Sequence, residues 1–124
     1  MKLIMEEDIV RFCDPGKYVA VIADIVGETL KNGNNVIRVY FKFKDRNKQY
    51  VELSAIFSYK LTPTCKLYKL LKAVGYEDCE VEDEIELDDI LGEKVIIQVE
   101  NQRKGKRQYS NIIDYKKYVS KKGE

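Results

Sequence analysis

The sequence predicts a mainly β fold of five strands, with one helix between the third and fourth strands. Apolar and polar residues alternate from Val36 to Lys44, which is the two-residue period of a strand with one buried face. Clusters of glycine, asparagine and aspartate separate several such runs, as turns between strands do. One stretch, from Leu67 to Val74, instead repeats its apolar residues at the spacing of a helix.

The first three strands are predicted to form a meander. The turn Asp14-Pro15-Gly16 precedes strand one at residues 18–26, and the glycine- and asparagine-rich loop 27–35 leads into strand two at 36–44. Residues 45–48 then turn the chain into strand three at 49–57. On strand two, the apolar side chains predict a core face, and the other face carries the cations and Tyr40.

The second half of the chain is predicted to contain the helix and a closing hairpin. Thr62-Pro63-Thr64 resembles a helix start, with a hydroxyl cap and a proline in the first turn, and Gly75 marks the end. Strand four is expected at residues 94–100 and strand five at 108–115, joined by a turn at 102–107.

Three strands, a helix and two further strands follow the connectivity of the five-stranded OB-fold barrel, which places its helix between strands three and four. An α+β sheet with the helix on one face has the same element order and stays open as an alternative. The length of 124 residues and the 44% apolar content suit a single domain spanning residues 1–124. We expect a short N-terminal extension at about 1–13 and a frayed C-terminal tail at about 119–124.

Several functional classes have no support in the sequence. There is no histidine, no nucleotide-binding or nucleophile-elbow motif and no paired cysteine motif, so we expect neither an enzyme nor a metal or cofactor site. Cys13, Cys65 and Cys79 are expected to be reduced packing thiols. No apolar run is long enough to span a bilayer and the N-terminus does not resemble a signal peptide, so we expect a cytoplasmic protein without membrane contact.

The charge of the chain is divided unevenly along the sequence. Residues 77–93, here called the acidic belt, contain ten acidic residues and no basic one, whereas the rest of the chain carries 22 basic and 11 acidic residues. The belt could be a solvated connector, a cation site or a mimic of nucleic acid that covers a basic surface. The belt lacks the central glycine and the ligand spacing of a calcium loop, which argues against a cation site. Runs of like charge are usually solvated, and this favours the connector.

An OB barrel holds oligonucleotides on strands two and three and on the loops that flank them. A set of basic residues and tyrosines in this sequence falls on those elements. Cations neutralise phosphates, and aromatic rings stack on unpaired bases. Cations on strands and turns also serve solubility and edge protection, so only their joint location is informative. The predicted nucleic-acid-binding residues are Lys31, Arg38, Tyr40, Lys42, Lys44, Tyr50, Arg103, Lys104, Lys106, Arg107 and Tyr109.

Five short phrases of the sequence together resemble one family. They are the DPGKYV opening of strand one, the loop and strand KNGNNVIRVYFKF, the helix LYKLLKAVG, the connector DDILGEKVIIQVE and the closing YSNIIDY. In this order they resemble the small OB-fold single-stranded-DNA-binding proteins of bacteriophages and related mobile elements. The resemblance implies binding and protection of single-stranded DNA during replication or recombination in the host cytoplasm, without a cofactor, and contact with replication or recombination proteins.

Two functional hypotheses follow. The first is a module that binds single-stranded DNA without strong sequence preference. The second is a protein-interaction or assembly domain, in which the acidic belt of one copy meets the basic face of a neighbour to form a homo-oligomer.

Overall fold

The computed structural model describes residues 1–5, 10–77 and 79–119 and has five antiparallel strands in one sheet. The strands are β1 (Gly16–Thr29), β2 (Asn35–Lys44), β3 (Tyr50–Ser58), β4 (Lys94–Lys104) and β5 (Arg107–Lys117). Their order in the sheet is β3-β2-β1-β4-β5. One helix, α1 (Lys66–Ala73), lies between β3 and β4 in the chain, and a 3₁₀ turn at Leu87–Ile90 precedes β4. The predicted mainly β class, the strand count and the position of the helix are therefore confirmed.

Strand β1 belongs to both halves of the sheet. Its first part, Gly16 to Val21, pairs with β4, and its later part, Val21 to Thr29, pairs with β2. A bulge between Ile22 and Asp24 shifts the register where the two parts meet, and bulges bend a strand and increase its twist. This bend curves the sheet, so that its two edge strands, β3 and β5, come near each other.

The core lies on the concave side of the curved sheet. The alternation predicted for β2 is confirmed, since Ile37, Val39, Phe41 and Phe43 are all buried. Tyr115 of β5 reaches across the gap between the edges, with its ring centroid 5.7 Å from Phe41 and 6.0 Å from Phe57. β3 and β5 share no backbone ladder among the described residues, so the sheet stays open along this gap.

The segment 10–13 crosses one end of the gap. Val10 bonds to the free edge of β3, donating its N–H to the carbonyl of Tyr50 at 3.1 Å and accepting the N–H of Glu52 at 2.9 Å. Three residues later, Cys13 bonds to the side chain of Ser110 on β5. The part of the chain expected to be an extension thus connects the two edge strands, while residues 6–9 lie outside the described residues.

The structure corrects several predicted boundaries, and β1 runs from Gly16 to Thr29 where 18–26 was predicted. The helix begins at Lys66, and its cap is Cys65, whose thiol accepts the N–H of Tyr68 at 3.4 Å, in place of the predicted threonine cap. β4 and β5 are also longer than predicted and leave only Gly105 and Lys106 for the turn, because Gly105 adopts a φ of 65° that a two-residue hairpin turn requires. Of the predicted tail, residues 120–124 lie outside the described residues.

Candidate nucleic-acid interface

The outward face of β2 carries the predicted row of cations and one tyrosine. Arg38 and Tyr40 are half-buried, whereas Lys42 and Lys44 are exposed. Tyr50 is the cross-strand neighbour of Lys44 on β3, and the Lys44 ammonium lies 4.8 Å from the centre of its ring. The Lys44 ammonium therefore covers one face of the Tyr50 ring, although Tyr50, 37% exposed, is more exposed than the half-buried Tyr40.

Acidic residues on the flanking strands neutralise part of this row. The Arg38 guanidinium donates to the Glu28 carboxylate at 2.8 Å and also bonds to the Ser54 hydroxyl at 3.1 Å. Glu52 lies 3.9 Å from the Lys42 ammonium, and Asp24 is the cross-strand neighbour of Tyr40. The outward face of β1 to β3 is thus close to charge balance, and only part of its positive charge is free to meet phosphates.

The β4-β5 hairpin extends beyond the rest of the sheet. The last pair between β1 and β4 is Gly16 with Val99, and five further pairs between β4 and β5 continue to the turn. All four cations of the predicted tip are exposed, namely Arg103, Lys104, Lys106 and Arg107. Tyr109 is 43% exposed and shares one face of the hairpin with Lys104 and Arg107.

Lys31 lies at the opposite end of the sheet from this hairpin tip. β2 and β4 both run antiparallel to β1 and so point the same way. The start of β2, beside the loop that carries Lys31, and the end of β4 are therefore at opposite ends. The structure does not bring Lys31 together with the cations of the hairpin tip.

A small depression beside the free edge of β3 adds a cation that was not among the predicted site residues. It has a volume of about 130 Å³ and is lined by Arg11, Tyr40, Glu52, Ser54 and Ser110. Arg11 reaches this position because Val10 pairs with β3 and Cys13 with β5. The half-buried Tyr40 and Arg11 of the N-terminal segment thus line the same depression.

A larger cleft continues from this depression between the edge strands β3 and β5. Its volume is about 570 Å³, and Ser54 lines both spaces. Arg38, Lys66 and Lys69 line the cleft together with the amides of Gln102 and Asn111 and the apolar side chains of Ile56 and Ile113. The depression and the cleft are here called the edge groove. The two lysines come from α1, and neither was among the predicted site residues.

Ion pairing fixes one side of the edge groove. The Lys69 ammonium lies 2.6 Å from the Asp114 carboxylate of β5, which joins α1 to the edge strand. The hydrogen bond from Lys69 lowers the pKa of Asp114, and a bond from the Tyr115 N–H acts in the same direction. Lys66, on the same face of the helix, lies in the cleft and is exposed.

The structure gives the cysteines a packing environment. All three are free thiols, and burial raises the pKa of Cys13, which keeps it protonated near neutral pH. Among the residues that the structure describes, no three acidic or thiol side chains are grouped closely enough to hold a metal ion. Nor does any helix in those ranges have the length and apolar character needed to cross a bilayer.

No protein-family model matches the chain, and no curated protein matches its sequence. The function is therefore inferred from the geometry and charge of the edge groove and its surroundings.

Proposed function

We propose that this chain binds single-stranded DNA without strong sequence preference, through phosphate contacts and base stacking. The observation that carries the proposal is the edge groove, which is lined by Tyr40 and Arg11 and continues to Arg38, Lys66 and Lys69. A path that combines cations with a partly exposed aromatic ring is what sequence-tolerant binding of single strands requires. Duplex DNA hides its base faces in the stack and cannot use such a ring.

The proposal includes the OB-fold barrel as the architecture. The strand order β3-β2-β1-β4-β5, with β1 shared between two halves and the helix between β3 and β4, supports this architecture, in which β3 and β5 would meet at the last seam of the barrel. The segment 10–13 bonds to both strands of that seam. A barrel of this kind in a phage or mobile element would serve replication or recombination.

The residues of the site have different roles in this proposal. Arg11 and Lys66 contact phosphates, since neither makes an ion pair with an acidic residue among the described side chains. Tyr40 stacks on a base in the depression that adjoins the cleft, where it is half-buried and held by the sheet. The exposed hairpin tip with Tyr109 supplies a second cationic surface at the end of the sheet where β4 ends.

A fluorescence titration tests the proposal directly. The chain has nine tyrosines and no tryptophan, so tyrosine emission reports stacking without interference. We expect an oligo(dT) of about 30 nucleotides to quench this emission, more weakly as salt rises, and a duplex of the same length to quench it much less. The absence of both quenching and an anisotropy change on a labelled strand at low salt would overturn the proposal.

A further inference from the structure

The end of the molecule away from the hairpin tip carries an apolar groove. Two depressions of about 250 and 350 Å³ lie side by side there and share Leu61 and Ile85. Tyr68 lines the first and Ile37 and Leu67 line the second, so the floor of the groove is part of the buried core. Cavities of about 150 Å³ already accommodate a benzene ring, so either depression has room for an aromatic side chain.

Acidic residues surround this apolar groove. Glu80, Glu82 and Asp83 line the first depression and Asp88 lines the second, whereas Lys60 is the one basic residue among the described lining residues. Val81, between two of these acids, is 78% exposed. An apolar floor with an acidic rim suits an occupant that combines an aromatic anchor with positive charge.

The hairpin tip of the same chain has this combination. Lys104 and Arg107 face each other across the hairpin, and Tyr109 lies on the same face. These residues are exposed, and the tip extends five pairs beyond the last pairing of β1 with β4. The groove lies beside the ends of β1 and β3, at the opposite end of the sheet from the hairpin tip. One chain therefore cannot fill its own groove.

We propose that the hairpin tip of one copy docks in the acid-rimmed groove of a second copy, with Tyr109 on the apolar floor and Lys104 and Arg107 against Glu80 and Glu82. A second copy is the occupant that the observations favour, because both complementary surfaces are present on the chain and at opposite ends. Each copy then has one tip and one groove, so the contact is head-to-tail and repeats along a row of copies. This contact does not depend on whether the edge groove binds DNA.

Charge reversal tests this contact by sedimentation velocity over a range of protein concentrations at low salt. We expect the wild-type sedimentation coefficient to rise with concentration. The tip variant Lys104→Glu/Arg107→Glu and the groove variant Glu80→Lys/Glu82→Lys should each weaken association by more than about tenfold, because like charges then face each other. The groove variant leaves intact the hydrogen bond from the Glu80 N–H to Asp83 at 2.7 Å that shapes the turn.

The decisive sample is the chain that carries all four substitutions. Its acidic tip and basic groove are again complementary, so it should regain concentration-dependent association. Lys17→Glu/Lys116→Glu, which places the same charge change on exposed positions of β1 and β5, should associate as the wild type does. A wild type that stays monomeric at every concentration, or a fourfold variant that stays monomeric while its circular dichroism shows a folded chain, would overturn the proposal.

Oligonucleotide binding by the groove variant separates this contact from the proposed function. Glu80 and Glu82 do not line the edge groove. The variant should therefore lose association and still bind oligo(dT). If the wild type and the variants all associated only in the presence of oligo(dT), the nucleic acid would hold the copies together. That result would overturn the direct contact.

Discussion

The hydroxyl of Ser110 is bonded to both backbone polar groups of Cys13, although the two residues are 97 positions apart. The Ser110 oxygen accepts the Cys13 N–H at 3.0 Å and lies 3.1 Å from the Cys13 carbonyl oxygen. Its single proton is shared between that carbonyl and the Asn101 side chain, whose oxygen is 2.9 Å away. One small side chain on β5 thus fixes the end of the N-terminal segment that bridges the two sheet edges.

Ser110→Ala should destabilise the protein by about 1–3 kcal/mol, because it leaves the partly buried N–H and carbonyl of Cys13 without their partner. Urea denaturation gives the free energy of unfolding, and Ser58→Ala, at the exposed end of β3, is the matched control and should change it by less than about 0.5 kcal/mol. Hydrogen exchange at Cys13 should accelerate in the Ser110 variant alone. Equal stability of the two variants would contradict the role given to Ser110.

Lys69→Met should lower stability at neutral pH and have no effect in strong acid. Lys69 lowers the pKa of Asp114 in the folded state, so its contribution is complete above the unfolded pKa of about 3.9 and is lost as pH falls through the lower folded value. At pH 7 we expect a loss of about 0.5 kcal/mol, as for other partly exposed ion pairs. Urea titrations at pH 7 and about pH 2 measure the change in the free energy of unfolding, with Lys66→Met as the control. A change caused by Lys69→Met that is the same at both pH values would exclude the ion pair as its cause.

Tyr40→Ala should weaken binding of oligo(dT) by about 5- to 150-fold with little change in the salt dependence of the affinity. The variant removes a stacking surface, worth about 1–3 kcal/mol per base, and leaves the cations in place. Tyr59→Ala removes a tyrosine that is 65% exposed and lines the other groove, and it should bind as the wild type does. Fluorescence anisotropy of a labelled strand measures both, and similar affinities for the two variants would remove Tyr40 from the site.

Arg11→Met with Lys66→Met should reduce the salt dependence of binding itself. Each phosphate contact to a single strand contributes about 0.7 to the slope of log affinity against log salt, so the slope should become shallower by about 1.4. Lys17→Met with Lys116→Met removes two exposed cations away from the edge groove and should leave the slope unchanged. Identical slopes for the two double variants would show that the edge groove does not carry the phosphates.

The sequence was sufficient for the elements whose pattern is local. β2 was predictable because its apolar residues alternate without interruption, and the burial of Phe41 and Phe43 confirms the face assigned to them. The helix was predictable from the spacing of its leucines. Its first residue was not, because the cap is the Cys65 thiol, a weak acceptor that capping preferences do not include.

The composition of the site depended on contacts between distant parts of the chain. Arg11 joins Tyr40 only because Val10 forms an isolated bridge with Val51, and no local pattern marks that bridge. The acids that pair with Arg38 and Lys42 become neighbours through the register of β2 with β1 and β3. Periodicity identifies the face on which a residue lies, but it does not determine which residues of other strands share that face.

The division of β1 between two partners sets the order in which the fold can be completed. Val21 pairs both with Lys42, which follows it closely in the chain, and with Lys94, more than seventy residues later. During synthesis the β1-β2-β3 meander can form first, but one edge of β1 has no partner until β4 has left the ribosome. Pairing across such a distance is slow because the loop must close before its contacts form. The nascent chain therefore exposes the edge of its central strand until β4 has emerged, and this stage is the one at which a chaperone would protect it from aggregation.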